Sequence, residues 1–268
     1  MSRRTNADNE RGRCPPTSRD LEDFATELGS AGNRTHILTR ARALKYELEK
    51  ILAPADFEFI EVTGRAAKKN FAQRFSASIA QKIANEMRKT LPEIVPDCDG
   101  KGHESLSRGA LGLKKIDVNY STTRSGLELA VSMKTLNFSD EKSKRYTKNV
   151  KRIDGELRAE AQDCHGRQPY AVIAAYLFMP LESATDGAGD GPSSARHAAE
   201  VLHARTGRDV NNRPEGIELS YLALYDDEGR VTIARPQDVP PSGAPAKTMT
   251  FASTLNEISQ LHRRRNPR

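Results

Sequence analysis

The stretch LKKIDVNYSTTRSGLELAVSMKT, residues 113–135, alternates apolar and polar side chains on both sides of a short turn. Ile116, Val118 and Tyr120 fall on one face of its first half, and Lys115, Asp117 and Asn119 on the other. In the second half Leu127, Leu129, Val131 and Met133 share a face, and Glu128, Ala130, Ser132 and Lys134 share the opposite one. A period of two is that of a half-buried strand, so the spacing predicts an antiparallel hairpin with one apolar and one polar face. Ser125-Gly126 supplies the turn, because glycine tolerates the positive φ that short hairpin loops need. Matching the apolar faces sets Asp117 opposite Ser132 or Lys134. A carboxylate, a hydroxyl and an ammonium then emerge together on the polar face, although an ordinary solvated sheet face has the same pattern.

The rest of the chain bounds what such a hairpin belongs to. Its 268 residues suffice for one elaborated domain or two small ones. Hydrophobic residues make up 37% and tryptophan is absent, which limits the core. The 42 Lys and Arg against 36 Asp and Glu give a net charge of +6 and favour a polyanionic partner. Cys14, Cys98 and Cys164 form no Cys-x-x-Cys or Cys/His cluster, which argues against a disulfide framework or zinc site and for a cytoplasmic location. The polar N-terminus lacks a signal-peptide core, and no apolar run reaches membrane-spanning length.

Four regions are expected. Residues 1–17 read as a disordered basic tail, and 18–62 as a helical subdomain with helices near 18–28 and 35–53. Residues 63–235 form the main α/β unit with a peripheral hairpin, and 236–268 a Pro-rich linker and C-terminal helix. Within the main unit a helix is expected over 66–89, where Phe71, Phe75, Ile79, Ile83 and Met87 recur every four residues. Residues 91–113 are rich in Gly and Pro and read as loops with one short strand. His103-Glu104 lies there and reads as a surface pair, with a metal role as the alternative. A second helix spans 146–164. The run YAVIAAYLFM, 170–179, reads as a strand covered on both faces. A helix over 195–205, a hairpin from 217–224 and 230–234, and a helix over 253–262 complete the order.

The segments KKIDVNYST, LAVSMKT and RIDGELRAEAQDCHGRQPYAV, with this order of elements, resemble the PD-(D/E)xK nuclease superfamily. The resemblance covers roughly residues 66–180. It implies a restriction-endonuclease-like αβββαβ core with a mixed sheet, preceded here by the helical extension. Two positions depart from the family pattern: Ile116 stands where Pro usually precedes the Asp, and Ser132 where Glu or Asp usually precedes the x-Lys. Glu128 is four residues from Ser132, ~13 Å along a strand at ~3.4 Å per residue, too far to share an ion with Asp117. One branch of the family has Ser-x-Lys and takes its second carboxylate from the following helix. Arg152, Glu156, Glu160 and Asp163 line one flank of that helix, because residues three or four apart share a face. Glu156 is placed first as the relocated carboxylate and Glu160 second, with surface i,i+4 ion pairs as the bland alternative.

By this resemblance Asp117 and Glu156 hold Mg²⁺, Lys134 acts on the attacking water and the phosphorane, and Ser132 orients water. Lys115, Lys144, Arg145, Lys148, Lys151 and Arg152 suit sequence-independent phosphate contacts. The expected activity is a Type II-like restriction endonuclease on double-stranded DNA, a homodimer, with a genetically linked DNA methyltransferase. A catalytically inactive nucleic-acid-binding protein on the same fold and a DNA-repair nuclease are the competing readings.

Overall fold

A computed structural model describes residues 65–187, 191–226 and 229–267. The expected basic tail and the helices near 18–28 and 35–53 lie outside the described residues. The protein is mixed α/β. Helix α1 (Arg65–Met87) leads into two short strands, β1 (Ser105–Arg108) and β2 (Leu113–Ile116). Strands β3 (Val118–Thr122) and β4 (Gly126–Thr135), helix α2 (Val150–Arg167) and strand β5 (Val172–Pro180) follow. Helix α3 (Ser194–Arg205), strands β6 (Leu219–Tyr225) and β7 (Val231–Ala234) and helix α4 (Phe251–Arg265) complete the order.

One sheet has five strands in the order β3-β4-β5-β6-β7, and β1 and β2 form a separate ribbon. The β3–β4 and β6–β7 pairs are antiparallel hairpins, while β4–β5 and β5–β6 are parallel. Parallel neighbours need crossovers, and α2 and α3 supply them. Both crossovers step the same way across the sheet, so the right-handed rule puts both helices on one face. Helices α1 and α4 cover the other. Two apolar layers result. Phe71, Phe75, Ile79, Ile83 and Met87 of α1 pack with Phe251, Leu255 and Ile258 of α4 over one sheet face. Val150, Ile153, Leu157 and Ala161 of α2 pack with Ala195, Ala198 and Leu202 of α3 over the other. β5 is buried along its whole length, as its continuous apolar run requires.

The organising hairpin departs from simple alternation at three places. First, Val118 pairs with Val131 and Tyr120 with Leu129, but a bulge between Tyr120 and Ser121 shifts the turn end, so that Ser121 pairs with Leu127. The shift moves Leu127 to the α2 layer while Leu129, Val131 and Met133 stay in the α1 layer. Second, Asp117 lies between β2 and β3 rather than within a strand. The chain bends there, and Ile116 drops into the α2 layer opposite Val118 and Tyr120. Third, the face expected to be polar and open is covered by α2: Ala130 and Ser132 are buried. Glu128 is buried too, accepting from Thr122 Oγ1 at 2.8 Å and lying 3.1 Å from His262 Nε2 of α4. Gly126 has φ +71°, the left-handed conformation the turn requires.

Cys98 is disulfide-bonded and Cys164 is a free, buried thiol, so the odd count does not leave all three sulfurs reduced. No helix among the described residues is long and apolar enough to cross a membrane.

Candidate active site

The bend at Asp117 builds the site. Val95 and Asn119 exchange both backbone hydrogen bonds at 2.9 Å along the outer edge of β3. The amides of Val118 and Tyr120 therefore face β4, and Met133, two residues beyond Val131, is the next donor on that ladder. The Asp117 carboxylate takes it: Met133 N–H donates to Oδ2 at 2.7 Å. One carboxylate oxygen is fixed by backbone, and Oδ1 is left to face the space between β4 and the 97–104 loop.

Lys134 and Ser132 leave β4 towards α2, which crosses above that end of the sheet. Ser132 Oγ donates to Glu160 Oε2 at 3.1 Å. The Lys134 ammonium lies 3.5 Å from Glu160 Oε2 and 3.7 Å from Glu156 Oε2. Asp117, Lys134 and Glu160 are largely buried, with side chains 17%, 17% and 13% exposed, whereas Glu156 is 41% exposed and ion-pairs with Arg152 one turn away. Both helix carboxylates named from the sequence therefore reach Lys134, and Glu160 is the deeper. The reason is helical phase. Glu160 precedes Ala161 on the stripe that packs against the sheet, while Glu156 lies one turn nearer the solvated N-terminus of α2. Asp163, on the same flank, does not join them. It is buried against the β1–β2 loop, where it accepts from the Leu111 amide and its backbone carbonyl accepts from Ala110 N–H at 2.8 Å.

Electrostatics reflect this crowding. Burial pushes the Asp117 carboxyl up, against the Met133 amide and the charges of Lys134 and His103. Burial also pushes the Glu160 carboxyl up, Asp117's charge adds to it, and Lys134 and Ser132 oppose it. The charge of Lys134 thus opposes the effect of burial on both carboxyls. Glu160 Oε1 is buried with no hydrogen-bond partner. Among the described residues no three His, Cys, Asp or Glu side chains converge tightly enough to hold a metal ion. The donor set fits Mg²⁺ all the same, since that ion takes one or two carboxylates and keeps several waters. An orphaned carboxylate oxygen beside a second carboxylate is the kind of cradle it fills.

The basic residues divide. Lys151 and Arg152 are exposed on the first turn of α2, and Arg152 connects to the site through Glu156. Lys144 is exposed with φ +57°. Lys148 is bound to Asp140 at 2.9 Å, Arg145 donates to the carbonyl of Pro192 at 2.5 Å, and Lys115 holds Glu104 at 2.8 Å. Arg88, just past the end of α1, turns inward and donates to the carbonyls of Ile94 and Pro96, each at 2.6 Å.

His103, which the sequence reads as half of a surface pair with a metal role as the alternative, comes back to Asp117. Its Nε2 lies 3.7 Å from Asp117 Oδ1. Nothing local in the sequence could have placed it there, since a loop pair becomes part of a site only through the tertiary path that returns it to β3. No protein-family model, curated protein or solved structure matches the chain.

Proposed function

We propose that the protein is a divalent-metal-dependent endonuclease that hydrolyses phosphodiester bonds in double-stranded DNA, of the Type II restriction kind. The observation that carries the reading is the convergence of Asp117, Lys134 and Glu160 at the point where the β3–β4 hairpin passes under α2. The order of helix α1, the strands up to β4, helix α2 and strand β5, with β4 and β5 parallel, also supports a restriction-endonuclease-like core. The family's second carboxylate is then met by Glu160, with Glu156 beside it, where Ser132 replaces the usual Glu or Asp.

Asp117 would hold the ion directly, and Glu160 directly or through an ordered water. Bound Mg²⁺ supplies Lewis acidity to water and charge neutralisation at the phosphoryl oxygens. Lys134 orients the attacking water through its ammonium and stabilises the negative charge that builds on the phosphorus oxygens. Ser132 keeps Glu160 aimed at the sheet. Glu156 and Arg152 carry the polar edge outwards to Lys151 and the phosphate backbone, which gives affinity without reading bases. The restriction reading implies a homodimer, one copy for each strand, and a genetically linked DNA methyltransferase.

The test is incubation of unmethylated phage DNA with the protein and Mg²⁺ or Mn²⁺. Discrete fragments are expected. A smear would indicate a nonspecific or repair nuclease, and intact DNA with a shifted gel band would indicate a binder without catalysis.

A further inference from the structure

His103 borders Asp117 as well, and the proposed chemistry gives it no role. Its Nε2 is buried and has no hydrogen-bond partner. At 3.7 Å from Asp117 Oδ1 the contact is too long for a hydrogen bond. Among the described residues, two such orphaned atoms border Asp117: His103 Nε2 and Glu160 Oε1. Unpartnered buried polar atoms each cost on the order of 1–3 kcal/mol, a cost that a cation accepting their lone pairs would offset.

The backbone that delivers the ring is held from both sides. Upstream, the Val95–Asn119 bridge and the Arg88 guanidinium, donating to Ile94 and Pro96, tie the segment to β3 and α1. The Asp97 carboxylate then accepts the amides of Asp99 and Lys101, each at 2.9 Å, closing a tight loop. Gly102 follows with φ +83°, and its missing Cβ would stand 3.2 Å from Val95 Cβ. Downstream, Glu104 has φ +54°, a conformation that glutamate adopts only under constraint, and Lys115 holds its carboxylate. Asn119 Nδ2 donates to Ser105 Oγ at 3.0 Å and fixes the far side. The position of His103 beside Asp117 is thus held by contacts on both sides of it.

We propose that His103 Nε2 is a ligand of the divalent ion at Asp117, and that the site consequently takes Mn²⁺ in preference to Mg²⁺. The inference rests on the reading of Asp117 as a metal ligand. Two donors on one ion, each at ~2.1 Å, lie at most ~4.2 Å apart. The observed 3.7 Å falls inside that limit, so the ring and the carboxylate can share an ion nearly as they stand. Imidazole nitrogen suits first-row transition ions, whereas Mg²⁺ keeps to oxygen donors. A nitrogen ligand therefore tilts the site towards Mn²⁺ without adding charge.

The experiment uses the full chain and Mn²⁺ alone, without DNA. Pulsed electron paramagnetic resonance should show nitrogen modulation from a coordinated imidazole in the wild type and lose it in His103→Gln. Calorimetric titration of His103→Gln should show Mn²⁺ binding weakened at least about tenfold, with Mg²⁺ binding unchanged. Bound Mn²⁺ without nitrogen modulation in the wild type overturns the proposal, whether or not the variant folds. So does modulation that persists in His103→Gln, or an equal loss for both ions, which would make the ring a positioning group for Asp117. In each of these cases Asp117→Asn still abolishes metal binding, and the nuclease reading survives. Metal binding indifferent to Asp117→Asn removes the metal site, and both readings fall together.

Discussion

Glu160→Gln separates what the site costs the fold from what it does. The Glu160 carboxylate lies 3.5 Å from the Lys134 ammonium, an attraction of about 5 kcal/mol at an effective dielectric near 20. Against it stand the desolvation of a largely buried carboxylate, several kcal/mol on its own, and repulsion from Asp117. The two sides nearly cancel. The direction of the balance comes from the carboxyl itself, which burial and Asp117 hold above its ordinary value of 4.5, so charging it is unfavourable in the folded chain. Gln keeps the shape and can still accept from Ser132. The metal-free variant should therefore match the wild type or exceed it by up to about 2 kcal/mol at neutral pH, a few degrees in Tm. The pH dependence has a defined sign. A raised native pKa makes the folded state take up the proton first, so the Glu160 contribution is fully present below pH 4.5 and is lost as pH rises through the elevated native value. The gap between variant and wild type should close as pH falls. Saturating divalent ion should reverse the order, because only the wild type gains binding free energy, about 2.7 kcal/mol at a hundredfold excess over Kd. Urea unfolding with and without the ion reads both effects. A metal-free variant weaker than the wild type by more than about 2 kcal/mol would show that the Lys134 pair outweighs desolvation, and would refute the reasoning.

Two further substitutions distinguish scaffold from site. Glu218 is buried with Arg208 Nη1 at 2.9 Å and His165 Nε2 at 3.4 Å, and it also receives Arg265 from α4. Glu218→Gln should cost about 3–5 kcal/mol by stranding the two guanidinium groups, read as a lower denaturation midpoint; a loss under about 1 kcal/mol would contradict it. Glu128→Gln removes the charge beside His262 but keeps an acceptor for Thr122, so it should cost about 1 kcal/mol of stability and leave metal affinity untouched. A fall in metal affinity there would move the site along β4.

Much of this architecture is written in local patterns. The four-residue recurrence from Phe71 to Met87, the stripe Val150, Ile153, Leu157 and Ala161, and the continuous apolar run before Pro180 each specify an element and the layer it covers. The β3–β4 register was legible to within two alternatives, and the observed pairing of Val118 with Val131 corresponds to the one that sets Asp117 opposite Ser132. What local pattern could not carry is any feature that depends on a break in it. The bulge at Tyr120/Ser121 sends Leu127 to the wrong layer for its parity, and the bend at Asp117 does the same to Ile116. Polar residues on the second face of β4 looked solvated because alternation says nothing about whether a helix lies above. Ser132 and Glu128 are buried because their partners come from α2 and α4. The sequence put Glu156 before Glu160, but a one-turn step along α2 changes depth and not face, and it is Glu160 that lies deeper. For His103 the sequence left a surface pair and a metal role both open, because its place beside Asp117 depends on the bridge of Val95 to Asn119.

In the proposed reading Asp117 and Lys134 perform phosphodiester hydrolysis on DNA that the basic surface holds. Plasmid cleavage and fluorescence-anisotropy binding, measured side by side for the wild type, Asp117→Ala and Lys134→Met in the presence of Mg²⁺ or Mn²⁺, test it most directly. Cleavage by the wild type alone, with Asp117→Ala binding DNA as tightly or more tightly for want of one anion near the phosphates, is the predicted result. Cleavage undiminished in folded Asp117→Ala, or no DNA binding by any of the three proteins, would contradict it.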